Sequence, residues 1–166
     1  MRHIKFSSVG RVLDYRKLYK TRRKIKYIIV HTSVSKPKSD WDARGIDRDH
    51  RNRWGRRSGC GYHYVVKWGG QLEKGRWADF PGAHVKGYNK YSLGIVYIGG
   101  LNEEGIATDD ILPNRQRQVL INTLRELKKL YPHAKILGHK EFPNVNKSCP
   151  CMDMSRLRRE VEGRLF

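Results

Sequence analysis

Tyr27-Ile28-Ile29-Val30-His31-Thr32-Ser33 opens on a continuous apolar, β-branched run and gives out into a histidine and two hydroxyl residues. An apolar run without polar alternation predicts a strand buried on both faces, the pattern of a sheet covered by helices on either side. A histidine at the end of such a strand is held by the sheet while its tip reaches the opening where functional side chains collect. A hydrogen-bonded structural role is the more ordinary one for any lone histidine, so His31 needs partners before it means chemistry.

Working outward, Ser92-Leu93-Gly94-Ile95-Val96-Tyr97-Ile98-Gly99-Gly100 is a second central strand closed by a glycine pair, and Lys135-Ile136-Leu137-Gly138 a short one that delivers His139. Gly61-Tyr62-His63-Tyr64-Val65-Val66-Lys67-Trp68, a Gly69-Gly70 turn and Gln71 to Arg76 read as a hairpin. Alternation puts Tyr62, Tyr64 and Val66 on one face of it, and His63 and Val65 on the other. Ile46, His50 and Trp54 recur at intervals of four, predicting a helix over Asp42–Trp54 with one buried face. On that face His50 reads as packing. Pro113 suits a first helical turn, and Leu120, Leu124, Leu127 and Tyr131 lay an apolar stripe behind it. Ser155–Leu165 is a closing helix with Leu157, Val161 and Leu165 in line, capped by Asp153 or Ser155. With no repeat and no linker, the expected fold is α/β: one domain with a central mixed sheet flanked by helices.

The 166 residues suffice for one core without disulfides. Charge is the unusual feature: 35 Lys and Arg against 16 Asp and Glu, a formal +19. Such a field favours an anionic partner, whether nucleic acid, an acidic membrane face, lipopolysaccharide or a cell-wall polymer. Residues 1–24 form a basic extension with nine Lys or Arg against Asp14 alone. It is either a solvated arm or, through Val9, Val12, Leu13 and Leu18, docked on the domain with a short helix. Three cysteines do not make a disulfide framework, which implies synthesis in a reducing compartment. No run approaches the ~20 apolar residues of a membrane span, and no secretory signal is evident. The chain is therefore expected to be made in the cytoplasm and to need help to act elsewhere.

The chemistry gathers near the carboxyl end, in His139-Lys140-Glu141-Phe142-Pro143-Asn144-Val145-Asn146-Lys147-Ser148-Cys149. An imidazole and a thiol stand at its ends, and a loop of this length can bring them to one ion. His31 supplies a third ligand. Structural zinc sites close with four protein ligands, whereas catalytic ones keep a position for water, so His31, His139 and Cys149 argue for hydrolysis. Lys147 is placed to reach a developing oxyanion, and Tyr62 could point at the same ion. The Gly82–Asn89 loop, with a histidine, a tyrosine and an asparagine, suits a polar ligand. Glu141 reads as structural, because its side chain would follow His139 only if the strand continued.

His31 after a strand, Gly61-Tyr62-His63-Tyr64, His84-Val85-Lys86-Gly87-Tyr88-Asn89, the strand ending Gly99-Gly100, Gly138-His139 and Lys147-Ser148-Cys149-Pro150 together resemble, in order and spacing, the zinc N-acetylmuramoyl-L-alanine amidases of type 2. The likeness is greatest to the small phage lysozymes that are chemically amidases, and it runs from about Tyr27 to Leu165. It implies a peptidoglycan-recognition-like fold, a zinc amidase domain over 25–166, and cleavage of the amide between the lactyl group of N-acetylmuramic acid and the stem L-alanine. It assigns one Zn2+ to His31, His139 and Cys149, catalytic support to Tyr62 and Lys147, and cleft-lining substrate contacts to His84 and Asn89. An ordinary tyrosine pKa near 10 makes Tyr62 a hydrogen-bonding residue rather than a base. Some relatives use a glutamate base, and others carry aspartate in place of Cys149. The resemblance further implies a monomer acting on the cell wall after holin-dependent release.

Three other functions compete. His139-Lys140-Glu141 with Cys149-Pro150-Cys151 imitates part of the zinc deaminase signature, but that chemistry needs P-C-x-x-C, and Pro150-Cys151-Met152-Asp153 breaks it. A non-catalytic peptidoglycan binder typically lacks the cysteine that this chain retains. A basic regulator binding nucleic acid or a polymerase would suit the charge, yet no docking motif supports it.

Overall fold

The computed structural model describes residues 8–108, 112–143, 145 and 148–163. Among these, β1 (Tyr27–Thr32), β2 (Tyr64–Val66), β3 (Leu72–Lys74), β4 (Ser92–Tyr97) and β5 (Lys135–Gly138) form one sheet in the order β3-β2-β4-β1-β5. All pairings are parallel except the β2–β3 hairpin, so the sheet is mixed. The helices are α1 (Ala43–Trp54), α2 (Asn114–Leu130) and α3 (Met154–Val161).

The unbroken apolar run of β1 is explained by what covers it. Ile28 and Val30 face a core built with Leu120, Leu124 and Leu127 of α2 and Leu157 and Val161 of α3. Ile29 faces the other way, against Val85 and Phe142. Alongside it, Val65, Val96 and Ile98 meet Ala43 and Ile46 of α1. Burying each of the larger side chains contributes about 1.5–3 kcal/mol, and both faces must be covered to gain it. Asp42 caps α1 by accepting from the Gly45 N–H at 2.7 Å, and Asp153 caps α3 by accepting from that of Arg156 at 3.0 Å. Of the two expected caps of α3, Asp153 is the one used. Leu165 lies outside the described residues.

The face expected for Tyr62 is corrected. Tyr64 and Val66 sit in the α2 and α3 core, but Tyr62 packs on the opposite side with Val65 and Ile46. The cause is local: the consecutive N–H groups of Gly75 and Arg76 donate to the carbonyls of His63 and Tyr62. A regular antiparallel ladder would use alternate residues, so this interruption bends the chain and turns Tyr62 over. Trp54 also departs from expectation, lying 58% exposed at the end of α1.

The basic amino-terminal segment is docked along its described length. Gly10 and Leu13 donate to Lys74 and Leu72, and Lys74 donates to Arg11, each at 2.8 Å. Val12 thereby pairs antiparallel with Glu73 and covers the open edge of β3. Leu13, Tyr15 and Leu18 pack on the main core, and a 3-10 turn over Tyr15–Lys17 is capped by Asp14. Thr21 is buried, its N–H donating to the Tyr131 hydroxyl at 2.7 Å.

Candidate active site

Val30 of β1 lies opposite Gly138 of β5 in parallel register. The next residues, His31 still within β1 and His139 just past β5, therefore stand side by side toward the sheet's carboxyl edge, with ring centroids 4.8 Å apart. His139 does not extend the strand; it begins a 3-10 turn over His139–Glu141. Glu141 closes that turn by accepting from the Gly138 N–H at 2.7 Å and pairs with Arg158 of α3 at 2.8 Å. Burial opposes ionisation of Glu141, but Arg158 and the Gly138 N–H outweigh it and hold the carboxyl below its usual range. Glu141 is thus committed to the junction of β5 with α3.

The loop beyond returns Cys149 to the same place. Its carbonyl accepts from the Lys140 N–H at 2.8 Å, and its Sγ accepts from the Thr32 N–H at 3.3 Å. Gly138 permits this approach: a Cβ there would lie 2.7 Å from Pro150 Cδ and 2.8 Å from Met154 Cγ. One ligand atom each from His31, His139 and Cys149 falls within 4.8 Å of the others. His31 Nδ1 faces Cys149 Sγ at 3.9 Å. Two imidazoles and a thiol form a donor set that fits a four-coordinate ion of zinc's kind. Among the described residues this is the one group of three or more His, Cys, Asp or Glu side chains that could hold a metal ion.

The three residues open on a cleft of about 770 Å³ that Tyr62, His84, Asn89 and His50 also line. A larger hollow of about 1030 Å³ lies between α2, β5 and α3, but it lacks such a cluster. Tyr62 stands with its ring centroid 4.9 Å from that of His31. Burial, reinforced by Cys149, raises its phenol pKa, so the hydroxyl stays protonated and available to donate. His84 Nδ1 lies 2.8 Å from His31 Nε2. Burial first, then the neighbouring histidines, drives its pKa well below the ordinary value. Asn89 Oδ1 accepts from the N–H groups of His84 at 2.9 Å and Val85 at 3.0 Å, pinning the loop that carries His84. His50 Nδ1 accepts from the Gly61 N–H at 2.9 Å, the packing role expected of it. Lys147 lies outside the described residues.

Sequence reasoning missed Trp41 and Trp54 as lining residues of the cleft and Thr32 as a backbone donor to the thiol. The second has no signal in residue type, because any residue but proline offers an N–H. His63 is a buried histidine next to the site with a different purpose. Its Nδ1 accepts from the Gly94 N–H at 3.0 Å, its Nε2 lies 2.9 Å from the Phe80 carbonyl, and burial pushes its pKa down to about 3. In the unfolded chain it takes up a proton near pH 6.5. Its contribution to stability is therefore complete above about pH 6.5 and is lost as pH falls from there toward 3. Urea midpoints should fall from pH 7 to pH 5, and less steeply in His63→Gln; equal slopes would assign the proton uptake to other groups.

Residues 21–152 match the family described as N-acetylmuramoyl-L-alanine amidase. The chain belongs to that family. Its relatives include the endolysin of Enterobacteria phage K11, 34% identical over 136 residues covering 81% of this chain and 86% of that one. The endolysin of Escherichia phage T7 is 33% identical over 139 residues, covering 83% and 88%. Among solved structures, the amidase LysCS from Clostridium intestinale superposes with a TM-score of 0.71 at 22% identity, covering 95% of this chain and 91% of that one. Drosophila PGRP-LB does so at 0.65 and 24% identity, covering 93% and 86%. These two likenesses concern the fold, and they agree with a five-stranded mixed sheet and three helices. The amidase is thus a peptidoglycan hydrolase of the endolysin kind. No described helix is long and apolar enough to cross a membrane.

Proposed function

We propose that the amidase holds one zinc ion through His31, His139 and Cys149 and hydrolyses the amide between the lactyl group of N-acetylmuramic acid and the stem L-alanine. The observation that carries this is the meeting of two strand-end imidazoles and a loop thiol on one side of an open cleft. When bound, the ion polarises a carbonyl and brings a water toward ionisation near neutral pH. The Thr32 N–H donates to the sulfur of Cys149 and fixes where it points. Tyr62, protonated, orients the attacking water or the scissile carbonyl by donating a hydrogen bond. Lys147 takes the oxyanion role that the family resemblance gives it, and His84 and Asn89 shape the cleft wall. Residues 1–24 serve as a basic extension to an amidase domain of 25–166.

Purified peptidoglycan incubated with the protein, with chelator, and with chelator plus zinc tests this directly. New L-alanine amino groups, rather than reducing sugar ends, should appear, vanish with chelator and return with zinc. Absence of that release under every metal condition would overturn the proposal.

The +19 charge is assigned to anionic envelope polymers, with the enzyme acting as a monomer on the wall after synthesis in the cytoplasm and holin-dependent release. Exposed Arg11, Lys17 and Arg159 supply part of that field, while Arg16 and Arg156 are paired with Asp14 and Glu160. Arg158 is engaged by Glu141, and Arg164 lies outside the described residues. Raising salt from low to physiological should weaken binding to cell walls and leave cleavage of soluble muropeptides unchanged. Wall binding indifferent to salt would remove the charge from the function.

A further inference from the structure

We propose that His84 is a positioning residue, the middle of a relay from Ser92 through His84 to His31 that fixes which nitrogen of His31 is offered to the metal. The inference rests on the metal site proposed above. A neutral imidazole carries one donor and one acceptor nitrogen, and the partner of one decides the state of the other. His31 Nδ1 faces Cys149 Sγ at 3.9 Å, so it must present a lone pair to ligate, and the proton must sit on Nε2. That Nε2–H then donates to His84 Nδ1, 2.8 Å away. His84 in turn carries its proton on Nε2, which is 3.2 Å from Ser92 Oγ. Every hydrogen in the relay has one consistent direction, and it ends inside the protein because Ser92 is fully buried.

The surroundings hold this arrangement in place. Gly94 of β4 lies under the His84 ring, where a Cβ would come within 3.0 Å of three ring atoms. At Gly82 a Cβ would lie 2.6 Å from His84 Cδ2. Two bare glycines thus form the slot, and Asn89 fixes the backbone that feeds it. Both ring nitrogens of His84 are directed at protein partners, so the ring faces the cleft without a polar atom to spare for substrate. Partners of this kind orient a ligating histidine, and their loss costs about 10–100-fold in metal affinity.

The test is zinc affinity of the full chain, by competition with a chromophoric chelator, in wild type, His84→Ala, His84→Asn and Ser92→Ala. Nitrogen-15 spectra of the His31 ring in metal-free protein accompany it. His84→Ala should bind zinc about 10–100-fold more weakly. His84→Asn, whose Oδ1 stands near the former Nδ1, should recover part of the loss, and Ser92→Ala should lose less than His84→Ala. Wild-type His31 should carry its proton on Nε2. A role confined to packing would lower the metal-free thermal midpoint in both His84 variants without changing affinity, and would overturn the proposal. So would a wild-type His31 protonated on Nδ1, an outcome that decides the matter even if His84→Ala fails to fold. Zinc affinity that depends on His84 in a protein releasing no L-alanine would reject the amidase mechanism and leave the relay standing.

Discussion

Replacing Cys149 with alanine should lower release of amino-terminal L-alanine from peptidoglycan by about a thousandfold or more, which corresponds to roughly 4 kcal/mol of lost transition-state stabilisation. The change leaves two imidazoles, too few to hold an ion at the low free concentrations of a cell. It also leaves the Thr32 N–H without the sulfur it donates to. Cys149→Asp offers an oxygen ligand, as some relatives do, and should retain more activity than the alanine variant. The discriminating measurement is initial rate against bound zinc in the same samples. Wild-type release from a Cys149→Ala protein would show that the ion, if bound, is not held here.

Deleting residues 1–18 should cost about 2–4 kcal/mol of stability. The deletion removes Leu13, Tyr15 and Leu18 from the edge of the core, each partly buried and worth about half the contribution of a fully buried side chain. It also strips the backbone hydrogen bonds that cover β3, leaving an open strand edge prone to pairing with other chains. A lower urea midpoint should therefore accompany light scattering at concentrations where the full chain stays clear. Zinc affinity should be unchanged, because no described residue of 8–18 lines the cleft. A truncated protein with the wild-type midpoint would mean that this segment contributes nothing to the fold.

Those two expectations sit at opposite ends of what the sequence makes legible. β1 could be read because being covered on both faces demands an unbroken apolar run, and Ile28, Ile29 and Val30 are indeed fully buried. The adjacency of His31 and His139 follows once their strands are parallel neighbours, but the neighbour relation itself is a long-range pairing with no local trace. Alternation puts Tyr62 on the wrong face because it assumes a regular ladder, and the bonds from Gly75 and Arg76 break it. The docking of residues 8–18 is not legible, because four apolar residues among many cations fit a solvated arm equally well. Contact between His84 and His31 spans 53 positions. Its only sequence trace is two glycines whose need for space becomes visible when the ring is seen over them.

The order in which the chain is made gives the parallel pairing of β1 with β5 a further meaning. Cys149 lies 118 residues after His31, so neither the β1–β5 edge nor the proposed metal cluster can close until both ends of that span have been made. Domains fold as units during translation, and non-local pairings come late. A nascent or prematurely terminated chain that stops before Cys149 lacks the thiol and holds an incomplete set of ligands. On the proposed zinc mechanism, wall-cleaving capacity thus arrives only once Cys149 is in place, and products that stop before it carry none.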